Sequence, residues 1–378
     1  MTREAVVAYL NAHRAEMAAQ LAHLVHLESP SEGKLALDAQ SDYLAQEFGA
    51  AGARVPRLTQ SETGDHLRLE WGQGGEQALL LGHMDTVWPL GAAVERPFRS
   101  EGSRAWGPGC SDMKGGLVVG LWALRALQAT AAQPPLRLVY LLNSDEEIGS
   151  PTSRPYIEEE ARRSRLALVL EPGPKGGVIT ARKGVGHYSL VVQGRAAHAG
   201  NDHAAGVSAV GELAHQVLAL HALTDYDRGT TVNVGVVQGG TRSNVVAAEA
   251  RAEIDLRVTT MGEAERVGGA ILGLQPRLPG ASVRVHGGLN RPPWPAGEPH
   301  TSLCEAYRAV GQALGLALPP LAVGGGSDGN FCAALGVPTL DGLGIAGYGG
   351  HSADEWVDLE SLPLRAAALA CFLAEMQP

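Results

Sequence analysis

Apolar positions along the chain fall into two textures. Over roughly the first 180 residues, short apolar runs alternate with stretches of helical period. Gln77 to His83 (QALLLGH), Leu136 to Asn143 (LRLVYLLN) and Leu166 to Leu170 read as buried strands, and Met113 to Ala129 reads as a helix between them. That cadence predicts an α/β domain built on a mixed, mostly parallel sheet with helices on both faces. Met1 to Leu24 carries the period of an amphipathic helix. From about Val178 the pattern changes. Thr231 to Gln238 and Glu253 to Val258 alternate apolar with polar or small residues, as half-exposed antiparallel strands do, and Ala204 to Leu223 and Met261 to Leu272 read as helices. The segment Asn290 to Pro295 (NRPPWP) marks a boundary, after which helical signal returns at Ser302 to Leu314 and Leu362 to Met376. The expected organisation is an α/β domain of residues 1–178 and 289–378, interrupted by a smaller α+β domain of residues 179–288.

Composition narrows the function classes. Hydrophobic residues make up 45% of the 378 and charged residues 19%, enough apolar material to order the chain. The formal net charge of −10 repels phosphate backbones and anionic lipid, which argues against nucleic-acid and membrane partners. No run approaches the roughly 18 apolar residues of a spanning helix, and Met1 to Leu24 lacks the features of an export signal. The 4 cysteines are scattered and form no Cys-x-x-Cys pair, so no disulfide framework is expected. These features predict a soluble, cytoplasmic protein. The acidic run Glu158 to Glu160 beside Arg162 and Arg163 reads as a solvated helix face.

Five segments place His, Asp or Glu at the ends of expected strands or in the loops after them, where an open α/β sheet gathers its ligands. They are Gly82-His83-Met84-Asp85-Thr86, Gly109-Cys110-Ser111-Asp112-Met113-Lys114-Gly115-Gly116, Asp145-Glu146-Glu147-Ile148-Gly149, Glu171-Pro172 and Gly350-His351-Ser352. In this order they resemble the M20 family of zinc metallopeptidases, the group that includes glutamate carboxypeptidases, aminoacylases and N-acyl-amino-acid deacetylases. The resemblance spans most of the chain. It implies a co-catalytic pair of Zn²⁺ ions per subunit, with Co²⁺ or Mn²⁺ as acceptable substitutes for such mixed His and carboxylate ligation. Two cations about 3.5 to 4 Å apart must share a carboxylate. By resemblance Asp112 is that bridge, His83 and Glu171 hold one ion, and Glu147 and His351 hold the other. Asp85 is implied to orient the His83 imidazole, and Glu146 to act as general base. A cis peptide is implied at Asp112-Met113.

The resemblance further implies that the smaller domain is a ferredoxin-like dimerisation or lid domain and that the protein is a homodimer. His198, in Gly194-Arg195-Ala196-Ala197-His198-Ala199-Gly200, matches the histidine that donates to the developing oxyanion in dimeric members. Asn244, Arg257 and Arg291 match anchors for a substrate carboxylate, to which an arginine fork is suited, and Gly326 lies in a glycine-rich loop whose amides would meet the same group. Arg182 and Lys183 are expected in solvent. The implied reaction is hydrolysis of the amide to a C-terminal amino acid in a small molecule or short peptide with a free carboxylate, glutamate being one such leaving residue. The alternative within the family is an aminoacylase or N-acetyl-amino-acid deacetylase. Gly325-Gly326-Ser327-Asp328-Gly329 also fits a serine nucleophile elbow, with Asp341 and His351 following in order, but a Ser327 hydrolase leaves the upstream acidic motifs unexplained. A metal-binding module without turnover is the remaining alternative, and the presence of Glu146 speaks against it.

Overall fold

The structure, a computed structural model, describes residues 3–376. The chain divides into two compact units, one of Met1–Ala181, Ala296–Ala322 and Ser327–Pro378, the other of Arg182–Pro295 with Val323–Gly326. The strand Ser282–Arg291 runs through the expected boundary at 288, because its sequence SVRVHGGLNR is too polar for its end to show as a break in the apolar pattern.

The first unit is built on a six-stranded sheet in the order Arg57–Leu58, His66–Trp71, Arg137–Asn143, Gln77–His83, Ser164–Val169, Thr339–Leu340. The last four pair in parallel and the first two are antiparallel. Every residue of Gln77–His83 is buried, the consequence of cover on both faces. Ala78, Leu80, Tyr140 and Leu168 face a cluster that includes Leu117, Leu121 and Leu124 of the helix Gly115–Ala129 and Leu369 of the helix Ser361–Glu375. Leu79, Leu81, Val139 and Val169 face Ile157 and Ala161 of the helix Arg154–Arg162 and Phe331 of the helix Gly329–Ala334. The fold is therefore mixed α/β with helices on both faces, as the patterning predicts. Gly116 lets the helix Gly115–Ala129 approach the sheet, since a Cβ there would lie 1.9 Å from the Leu170 carbonyl oxygen.

Two local expectations change. The amphipathic N-terminus is two helices, Arg3–Ala12 and Arg14–His26, interrupted at His13. Glu160 is only 4% exposed and accepts hydrogen bonds from Arg68 and Gln77, so the last residue of the acidic run faces inward beside the sheet.

The second unit carries a four-stranded antiparallel sheet in the order Thr231–Gly239, Glu249–Val258, Gly184–Gln193, Ser282–Arg291. Helices Ala209–His221 and Met261–Leu272 complete a βαββαβ order, the ferredoxin-like arrangement. Tyr188, Leu190, Val192, Ile254 and Leu256 from alternate strand positions pack with Leu213, Leu220, Val267 and Ile271 of the helices. Ser208 and Thr260 cap those helices through Gly211 N–H and Glu263 N–H. Among the described residues no helix is long and apolar enough to cross a membrane.

Candidate metal centre

Three neighbouring parallel strands deliver acidic and imidazole groups to one end of the sheet. His83 is the last residue of Gln77–His83, Glu146 and Glu147 open the short 3-10 turn after Arg137–Asn143, and Glu171 follows Ser164–Val169. Asp112 sits in the Cys110–Lys114 segment that leads into the helix Gly115–Ala129, and the Asp112-Met113 peptide is cis. His351, with φ 64°, precedes the strand Trp356–Asp358, whose pairing with Arg104–Trp106 belongs to a second, antiparallel sheet.

The side chains converge. His83 Nε2 lies 3.2 Å from Asp112 Oδ1 and 3.5 Å from Glu171 Oε1. His351 Nε2 lies 2.9 Å from Glu147 Oε2 and 3.4 Å from Asp112 Oδ2. Asp112 thus presents one oxygen to each imidazole. The ligand atoms of His83, Asp112 and Glu147 fall within 4.8 Å of one another, and so do those of His83, Glu146 and Glu171.

The electrostatics of this cluster favour a cation. Burial, then the Asp112 carboxylate, push Glu147 and Glu171 up to about 8. Burial opposes the His83 imidazolium, yet Glu171, Asp112 and Asp85 raise it well above the ordinary histidine value. Hydrogen bonds to Asp112 and Glu147 raise His351 to about 11. Burial is overcome at Asp112, where contacts with His351 and His83 hold the carboxyl below the usual range. Glu147 Oε1 is buried without a hydrogen-bond partner, a donor atom of the kind a bound cation satisfies. The donor set of nitrogens and carboxylate oxygens, with no thiolate, suits zinc and tolerates cobalt or manganese.

Asp85 acts on more than the imidazole. It is 0% exposed, and the hydrogen bond of His83 Nδ1 goes to its backbone carbonyl at 3.0 Å, with the carboxylate Oδ1 at 3.4 Å. The carboxylate also accepts from the Ser31 hydroxyl at 2.7 Å, Glu146 N–H at 3.2 Å and Glu147 N–H at 3.1 Å. It therefore holds the turn that carries Glu146 and Glu147. Ser31 has no motif around it, and nothing local in the sequence marks it.

In the second unit His198 is exposed. Its Nδ1 accepts from Gly200 N–H at 3.1 Å and Asn201 N–H at 3.0 Å, which leaves Nε2 as the protonated donor. Asn244 lies beside it, its carbonyl accepting from Ala199 N–H at 3.0 Å. Arg291 is 5% exposed and packs on Gly326, where a Cβ would lie 2.8 Å from Arg291 Cδ. Arg257 is engaged by Asp255 on its own strand through two hydrogen bonds of 2.8 Å. Arg182 corrects the expectation of solvent exposure. It is 8% exposed and donates to the carbonyls of Gly325 at 3.2 Å and Gly326 at 3.4 Å, because the glycine-rich loop covers it. Ser327, the alternative nucleophile, is 0% exposed and donates to Asp341 Oδ2 at 2.6 Å, so its partner is a carboxylate and not an imidazole.

The chain is similar to several known proteins. The chain is 31% identical to carboxypeptidase G2 of Pseudomonas sp. (strain RS-16) over 358 residues, covering 91% of this chain and 85% of that protein. It is 33% identical to acetylornithine deacetylase of Salmonella arizonae over 203 residues, 49% of this chain and 51% of that protein. Its fold is similar to that of an M20 family metallo-carboxypeptidase from Sulfolobus solfataricus, with 17% identity and a TM-score of 0.74 over 95% of this chain and 98% of that one. Residues 79–375 match peptidase family M20/M25/M40. The chain belongs to that family and is a hydrolase of the metallopeptidase class.

Proposed function

We propose that the protein is a dinuclear metallo-carboxypeptidase that cleaves the amide to a C-terminal amino acid, with glutamyl peptides and folate-type or other N-acyl glutamates as its substrate class. The observation that carries this reading is the crowding of the Asp112, Glu147 and Glu171 carboxylates around two imidazoles, with Glu146 on the same turn. His83 and Glu171 would hold one Zn²⁺, Glu147 and His351 the other, and Asp112 both. Bound there, the cations would supply Lewis-acid polarisation of the scissile carbonyl and would acidify water at neutral pH. Glu146 takes the proton of the attacking water and returns it to the leaving nitrogen. His198, acting within a homodimer, donates its Nε2–H to the carbonyl oxygen as negative charge develops. Arg291, Gly326, Asn244 and Arg257 form the set that receives the substrate carboxylate. Of these, the buried Arg291 is the principal charge, because Arg257 already has Asp255 as its partner.

The test is hydrolysis of a panel containing a pteroylglutamate, N-acetyl-amino acids and dipeptides by zinc-loaded protein, with and without chelator, alongside Glu146→Gln. The expected result is chelator-reversible release of C-terminal glutamate that Glu146→Gln lowers by about 10² to 10⁴. Wild-type turnover by Glu146→Gln overturns the mechanism. Likeness to an acetylornithine deacetylase over half the chain favours a second reading, deacetylation. Chelator-sensitive cleavage confined to the N-acetyl substrates would select it.

A further inference from the structure

We propose that Glu355 is a positioning residue for the metal centre, tying the Asp112 loop to the His351 loop and so setting the cation position formed by Asp112, Glu147 and His351. The inference rests on the dinuclear reading above. Glu355 is 1% exposed and its carboxylate accepts four hydrogen bonds. Oε2 takes Gly109 N–H at 2.8 Å and the Trp88 indole N–H at 3.1 Å. Oε1 takes Ser111 N–H at 2.8 Å and Asp112 N–H at 3.0 Å.

Backbone amides at 109, 111 and 112 converge on one point because Gly109 adopts φ 72° and turns the chain into a concave nest. Such nests commonly receive a bound anion. Here the anion is a side chain that stands 243 residues from Asp112 in sequence and only four residues after His351. The link back to His351 is short and hydrogen-bonded, with Ser352 N–H to the Gly349 carbonyl at 2.8 Å and Glu355 N–H to the Ser352 carbonyl at 3.1 Å. On its other side Trp356 pairs with Trp106, which anchors the segment in a sheet.

An aspartate has two side-chain torsions, so where its backbone sits largely decides where its carboxylate can reach. The Asp112 amide held by Glu355 belongs to the residue whose Oδ2 lies 3.4 Å from His351 Nε2. Glu355 thereby fixes both ends of one contact. His83 and Glu171 owe their placement to parallel strands of the central sheet, so the other cation position depends on Glu355 far less.

Glu355→Gln keeps the shape and replaces one oxygen by a donor, which faces either the Gly109 and Trp88 donors or the Ser111 and Asp112 donors. Full-length metal-free protein is titrated with Co²⁺, read by visible absorption, and with Zn²⁺ against a competing chelator; thermal melting of the metal-free protein is followed in parallel. The expected result is that Glu355→Gln binds its first equivalent like wild type, while the second is weakened about 10- to 100-fold with an altered cobalt spectrum. Should Glu355→Gln fail to fold, Glu355→Asp, which keeps the charge but shortens the reach, is judged by the same split. Wild-type affinities and spectrum for both equivalents, or equal weakening of both, overturn the positioning role and leave Glu355 a brace of the fold. Failure of wild type itself to take two ions overturns the dinuclear reading, and this inference with it.

Discussion

Replacing Asp85 by Asn tests how the turn bearing Glu146 and Glu147 is held. The carboxylate accepts from Ser31, Glu146 N–H and Glu147 N–H, and all of it is buried. Asparagine has the same shape but only one accepting oxygen. If its amide nitrogen takes the Oδ2 place, Ser31 can rotate to accept, and Glu147 N–H at 3.1 Å faces a donor. If the nitrogen takes the Oδ1 place, Glu146 N–H is the one that faces a donor. Either way one half-buried N–H loses its bond to Asp85, at a cost of about 1 to 3 kcal/mol. For a unit of this size that corresponds to a fall in melting temperature of roughly 2 to 12 °C. Because the displaced turn carries Glu147, affinity for the cations should fall about 10- to 100-fold. Thermal melting of metal-free protein gives the first quantity, and chelator competition with Zn²⁺ gives the second. An Asp85→Asn protein with unchanged melting and unchanged zinc affinity would refute the reasoning, since the carboxylate would then not be organising the turn.

Other outcomes follow from the same geometry. In metal-free protein Glu147 and Glu171 hold their protons up to about pH 8, whereas in the unfolded chain they release them near the ordinary value of 4.5. Between those values the folded state binds more protons, so metal-free protein should lose stability as pH rises from about 5 to 8, and melting curves that rise over this window would contradict it. Zinc binding at pH 7 should for the same reason release protons, read as a calorimetric enthalpy that changes with the ionisation enthalpy of the buffer. Gly326→Ala puts a Cβ 2.7 Å from Val185 Cγ2 and 2.8 Å from Arg291 Cδ, and should raise KM about tenfold with little change in kcat; a fall confined to kcat would remove Gly326 and Arg291 from substrate binding. Ser327→Ala should leave turnover intact and cost about 1 kcal/mol of stability through its bond to Asp341, and loss of hydrolysis in a well-folded variant would revive the serine reading.

Much of the architecture is written locally. Fully apolar runs such as Gln77 to His83 can exist only where a sheet is covered on both faces, and the alternation of Glu253 to Val258 only where one face is wet, so pattern alone separates the two textures. Strand ends then collect His83, Glu146, Glu147 and Glu171 without further information, because three neighbouring strands run parallel. Periodicity reports which faces are buried and is silent on which polar groups meet across the chain. His351 reaches Glu147 across 204 residues and Glu355 reaches the Asp112 amide across 243, contacts that exist only once a second sheet has paired Trp356 with Trp106. Arg182 and Glu160 look like solvated charges in sequence and are buried in the structure, since a long charged side chain follows its hydrogen-bond partners and those are remote in sequence. Asp85 and Ser31 likewise acquire their role only when the Glu146–Glu147 turn folds against them. Local pattern thus determined the layers and the strand ends, while the polar contacts that aim the side chains were decided by the tertiary fold, because hydrogen bonds between distant loops leave no period behind.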